Sequence, residues 1–98
     1  MTKIEIPTVG EILKEEFMVP FNLSAYRLAK DIGVPISRIQ DILHNRRKIT
    51  AETSIRLGIY FGLSITYFLN LQTDYVVREA STELKDSIEK IRPFNSKI

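Results

Sequence analysis

The sequence predicts an all-α fold: a compact bundle of five helices with a C-terminal extension. Three observations carry that expectation. Apolar residues recur at helical spacing in five stretches, and each stretch opens on a Ser, a Thr or a Pro. No segment alternates in the two-residue rhythm of a half-buried strand strongly enough to predict one. The chain has 98 residues, enough to bury one core but not two.

Residues 1–7 read as extended and poorly anchored, ending at Pro7. Thr8 and Glu11 have the spacing of a capping box, which opens a first helix running to about Val19. Val9, Ile12, Leu13 and Phe17 share its inner side, and Pro20 stops it. Ser24 caps a second helix, with Leu23 and Leu28 spaced as a hydrophobic staple and Ala29 and Ile32 extending the stripe. Gly33 supplies the left-handed residue that ends it.

Pro35 opens a third helix with its φ already set, bracketed by Val34 and Ile39. Ile39, Ile42 and Leu43 make its core face. The opposite face carries Ser37, Arg38, Gln40, Asp41 and His44, and Arg46, Arg47 and Lys48 follow at once. Two short helices joined by a tight turn, the second polar outside and basic beyond, form a helix-turn-helix.

Thr50 caps a fourth helix whose Ile55, Leu57, Ile59, Tyr60 and Phe61 mark it as the centre of the core, and Gly62 ends it. Leu63, Ser64 and Phe68 repeat the staple-and-cap pattern to open a fifth. Its first turns hold more apolar and aromatic groups than a domain of this size needs to bury. Tyr67, Phe68, Leu71 and Tyr75 are therefore expected on a dimer or partner surface, joined by Leu84 and Ile88 from a sparser stripe that includes Ala80 and Ile91. The pattern leaves open whether residues 81–92 continue that helix. Pro93 ends it, and residues 94–98 are expected to fray. Residues 1–80 are expected to form the helix-turn-helix domain and residues 81–98 the extension.

Charge is distributed unevenly along the chain. Residues 1–26 sum to −2, residues 27–48 to +4 and residues 49–98 to zero. The excess positive charge thus sits on the helix-turn-helix, as contact with phosphate requires. Readout of base edges is expected from Ser37 and Arg38 with Gln40 or Asp41, because Arg matches guanine, Gln matches adenine and Asp can accept from cytosine. Asp41 could equally pair with Arg38 on the same helix face. Phosphate contacts are expected from Ser24, Tyr26, Arg27, His44, Asn45, Arg46, Arg47 and Lys48.

Other chemistry finds no support. With no cysteine there is no disulfide, thiolate site or thiol nucleophile. His44, the only histidine, lacks a second metal ligand, so no metal or cofactor is expected. Glu15 and Glu16 are neighbours on a helix and do not converge. No nucleophile–base set or phosphate-cradling glycine loop is present, so an enzyme is not expected. No signal-type or membrane-spanning run occurs, so a cytoplasmic location is expected.

The segments PTVGEILKEEF, LSAYRLAKDIGVPISRIQDILHNRRKITAETSIRLGIYFG and SITYFLNLQTDYVV resemble the Cro/repressor-type (XRE) helix-turn-helix proteins, and within them the HigA-like antitoxins. The resemblance spans about residues 7–80. It implies a lambda-repressor-like DNA-binding domain, acting as a homodimer on double-stranded operator DNA with two-fold symmetry. It further implies repression of the protein's own operon and neutralisation of a cognate HigB-like toxin of the RelE-like, mRNA-cleaving class. A stand-alone regulator of the same fold is the alternative. Two positions depart from the wider family: Ala25 stands where many members have Gln, and Ile36 where a polar residue is usual. Ile36 would then either touch a thymine methyl or simply pack.

Overall fold

The computed structural model describes residues 6–94, and all regular structure among them is helical. The expectations for the first five residues and for the last four lie outside the described residues. The elements are α1 (Val9–Ile12), a π-helical segment (Leu13–Met18), α2 (Ala25–Ile32), α3 (Ile36–Leu43), α4 (Ala51–Phe61), α5 (Tyr67–Glu83) and α6 (Lys85–Ile88). The bundle thus gains a short sixth helix. The backbone breaks at Leu84 (φ −98°, ψ 11°), so residues 81–92 are not one continuous helix.

The expected caps form. Thr8 and Glu11 make both bonds of the capping box, and Ser24 and Thr50 each accept from the backbone N–H three residues on. The exits follow one rule. Each of four successive helical segments is followed within four residues by a residue with positive φ: Asn22 (53°), Gly33 (76°), Asn45 (60°) and Gly62 (72°). At each, the next N–H bonds back to a carbonyl five residues earlier: Leu23 to Met18, Val34 to Ala29, Arg46 to Asp41 and Leu63 to Gly58. This satisfies carbonyls that a helix end otherwise orphans.

Pro20 marks the end of the first helical run as expected: the run closes at Met18 with Val19 as its C-cap, and the chain then turns through Asn22. A proline ring crowds the carbonyl four residues before it, so the helix does not run on through Pro20. The π turn rotates Met18 inward, so the buried series runs Val9, Leu13, Met18, while Ile12 and Phe17 are half-buried.

These residues join Leu28, Ala29, Ile32, Ile39, Ile42, Ile49, Leu57 and Phe68 in one core. The fourth helix departs from expectation. It buries Thr53, Ser54, Leu57 and Gly58 and turns Ile55, Ile59 and Tyr60 outward. The reason is close approach: a Cβ at Gly58 would strike the Ser64 carbonyl, and Ser54 Oγ donates to the Ile65 carbonyl at 2.7 Å. Only small side chains fit beneath that turn, so the large ones face out. Ser64 caps a turn rather than a helix, its Oγ accepting from Thr66 N–H at 3.2 Å, and α5 begins at Tyr67.

Phe68 is also a correction. It was expected on a partner surface but is fully buried. Its ring packs against Phe17 at 5.1 Å and Tyr67 at 5.2 Å, with Phe61 at 6.1 Å. Tyr67, Leu71 and Tyr75 are half-buried, whereas Leu84 and Ile88 are exposed. Beyond Tyr75 the second half of α5 leaves the globule with α6. The radius of gyration is accordingly 17.0 Å, against about 13 Å for a compact chain of this length. Among the described residues no helix is long and apolar enough to cross a membrane.

Candidate nucleic-acid interface

The helix-turn-helix is built from α2, the Gly33 turn and α3. Ile39 and Ile42 pin α3 to the core, which commits Ile36, Ser37 and Gln40 to solvent. Ile36 is 39% exposed, an apolar group at the leading end of an otherwise polar face. Asp41 and Arg38 are half-buried. The bend after α3 exposes His44, Asn45, Arg46, Arg47 and Lys48.

The positive φ of Asn45 turns the chain there. Asparagine tolerates this conformation better than most residues because its side chain bonds locally. His44 Nδ1 lies 2.7 Å from the Gln40 carbonyl, so that nitrogen carries the hydrogen and Nε2 is left for another partner. Ser24 and His44 both line an open cleft of about 460 Å³, with Lys14, Met18, Asn22 and Leu43. The start of α2 and the end of α3 therefore share one rim.

The cations are held differently. Arg46 donates to Asp41 Oδ1 from Nε (3.2 Å) and Nη2 (3.0 Å), so Asp41 pairs across the bend rather than with Arg38. Arg38 Nη1 instead stands 3.7 Å from Glu52 Oε1 on α4. Arg27 Nε donates to Asp31 Oδ2 at 2.7 Å, and the Tyr60 hydroxyl donates to the same oxygen at 2.6 Å. The hydrogen bonds from Tyr60 and Arg27 hold the Asp31 carboxyl below the ordinary carboxylate range, and the bond to Asp31 raises the Tyr60 phenol. Arg27 is thus drawn onto the seam between α2 and α4, while Tyr26 stands 63% exposed.

Two residues absent from the sequence reading support this face. Gln72 on α5 accepts from Ile49 N–H at 2.7 Å and donates to the Ile49 carbonyl at 2.9 Å, clamping the chain just after Lys48. Glu52 meets both Arg38 and Arg56. Neither was legible, because the Gln72–Ile49 bonds cross 23 residues and the Glu52–Arg38 pair joins two different helices. Gln72→Ala leaves both Ile49 backbone groups without their partner at a half-buried site. A loss of about 1–2 kcal/mol is expected, read as a lower urea midpoint with an unchanged slope.

Fold and face together define a class: a small all-helical protein that presents a helix-turn-helix with a cationic bend. The chain belongs to the helix-turn-helix family, whose model matches residues 13–68. Within it the resemblance to HigA-like antitoxins is borne out. The chain is similar to virulence-associated protein I of Dichelobacter nodosus, 44% identical over 96% of this chain and 88% of that one. Among solved structures it is similar to an addiction module antidote protein of the HigA family from Coxiella burnetii, 36% identical with a TM-score of 0.81 over 93% of this chain and 100% of that one. It is also similar to antitoxin HigA of Pseudomonas aeruginosa, solved with the higBA promoter. There the identity is 34% and the TM-score 0.79, over 92% of this chain and 99% of that one.

Proposed function

We propose that this protein is a sequence-specific DNA-binding antitoxin that represses its own operon and neutralises a RelE-like, mRNA-cleaving toxin. The observation that carries the DNA-binding part is the polar side of α3, with Ser37 and Gln40 exposed and Arg38 and Asp41 half-buried, followed at once by the exposed, cation-rich bend at residues 44–48. The likeness to a HigA solved with promoter DNA supports the same reading. In it α3 enters the major groove. Ile36, Ser37, Arg38, Gln40 and Asp41 meet base edges, with the Ile36 side chain suited to a thymine methyl. Ser24, Tyr26, His44, Asn45, Arg47 and Lys48 grip the phosphates on either side. Arg27 and Arg46 join them once each exchanges its carboxylate partner for phosphate.

Two copies are proposed to pair on an operator with two-fold symmetry. The exposed Val77, Leu84, Ile88 and Ile91 of the arm, residues 76–94, offer apolar surface for that contact or for the toxin. Residues 81–98 are proposed as the segment that serves it, and residues 1–80 as the DNA-binding domain.

Arg47 and Lys48 have no acidic partner among the described residues. Replacing both with alanine is expected to weaken binding to every duplex alike, and to reduce the salt slope by about 0.9 per lost contact. Fluorescence anisotropy on the protein's own promoter fragment, titrated across salt concentrations, measures both quantities. A changed base preference at constant slope would overturn the assignment of these residues to phosphate. Coexpression with the adjacent reading frame tests the toxin. Copurification of a small basic protein whose RNase activity this chain suppresses supports the antitoxin, and its absence leaves a stand-alone regulator.

A further inference from the structure

We infer that Glu52, outside the helix-turn-helix, is a positioning residue that sets base preference by holding the Arg38 guanidinium. The inference rests on the DNA-binding reading above and names a determinant of its specificity. The two oxygens of the Glu52 carboxylate have different work. Oε2 accepts from Arg56 Nε at 3.1 Å. Arg56 in turn donates from Nη1 to the Ile32 carbonyl at 2.8 Å, at the very end of α2. The carboxylate is thereby tied to the backbone of the first helix of the motif.

Oε1 faces Arg38 Nη1 at 3.7 Å. That separation is an ion pair but too long for a hydrogen bond. Glu52 therefore restrains the Arg38 side chain without consuming its donors, and the fork stays available for a guanine edge. Arg27 and Arg46 differ, since both donate directly to carboxylates within their own motif. The Arg38 side chain is already largely confined against the protein, 24% exposed against 60% for Glu52. An arginine left free would lose its rotamer freedom on docking, and a side chain already confined loses less.

A second consequence separates this role from a merely structural one. Glu52 places a negative charge beside a surface that approaches phosphate. Removing it strengthens non-specific attraction while loosening the arginine. Affinity for arbitrary DNA and selectivity for the preferred site then move in opposite directions, whereas damage to the fold lowers both.

The test is selection from a pool of random duplexes, followed by anisotropy on the preferred site and on single-base variants, for the wild type, Arg38→Ala, Glu52→Ala and Glu52→Asp. Arg38→Ala is expected to flatten one base position, where a good contact discriminates about tenfold. Glu52→Ala is expected to flatten that same position to below about threefold and to raise affinity for random duplex. Glu52→Asp should restore most of the preference. The inference fails if Glu52→Ala keeps the wild-type preference, lowers both affinities together, or changes a position that Arg38→Ala leaves alone. It fails equally if Arg38→Ala flattens no position. A wild-type protein that enriches no sequence at all would instead refute the DNA-binding reading itself.

Discussion

Phe68→Ala is expected to destabilise the protein by about 3–5 kcal/mol, the usual range for emptying a buried aromatic site. The ring is fully buried and is touched from three sides by Phe17, Phe61 and Tyr67, with centroids between 5.1 and 6.1 Å away. Those neighbours come from the π segment, α4 and α5 itself, so no single element can move to fill the space. A small domain has only about 5–15 kcal/mol to lose. The midpoint of thermal unfolding should fall by roughly 15–30 °C, measured by circular dichroism, and Phe68→Leu should recover much of the loss. A midpoint within a few degrees of wild type would mean that the ring is not packed as described.

The second large effect is expected from the smallest change, Gly10→Ala. Gly10 lies in α1 with an ordinary helical φ, where alanine would normally be favoured by about 1 kcal/mol. Here a Cβ would run into the Ile42 backbone carbonyl and come within 3.2 Å of Asn45 Oδ1. The obstacle is backbone, so no rotamer change relieves it and α3 must shift. A net loss of about 3 kcal/mol is expected. Because the displaced groups are the last turn of α3 and the Asn45 bend, promoter affinity should fall even at temperatures where the variant stays folded. Urea denaturation and anisotropy on the same sample separate the two. Normal stability with normal binding would show that α1 and α3 do not touch at this point.

The four glycines mark the limit of what could be read from the sequence. Gly33 and Gly62 were legible as helix ends because glycine meets the demand for positive φ without steric cost. Asn22 and Asn45 do the same job, but asparagine has several other uses and so hides the turn it makes. Gly10 and Gly58 look like weak helix residues in the sequence, and only the packed structure reveals the carbonyl each one admits. The same blindness explains α4. Its isoleucines were assigned inward by their chemistry, yet the space beneath the 64–65 turn admits only Ser54 and Gly58. Phe68 was misplaced for a related reason. An excess of aromatic groups on α5 was visible, but not that Phe17, Phe61 and Tyr67 would close around one of them.

The polar face of α3 and the basic bend were legible because they depend on local periodicity and on charges adjacent in sequence. The Arg38–Glu52–Arg56 chain and the Gln72 clamp join residues far apart, and their residue types are common on any helix surface.

The departure of α5 from the globule past Tyr75 has a kinetic consequence. Amide hydrogens in residues 76–90 are held by single-helix bonds with water on nearly all sides, so they exchange with solvent whenever a turn frays. Those of Leu28, Ile39, Leu57 and Phe68 are released only when the whole bundle opens. The isolated chain should accordingly exchange its protons in two widely separated waves. Whatever molecule lies down along the arm would show itself by slowing the first wave and leaving the second where it was.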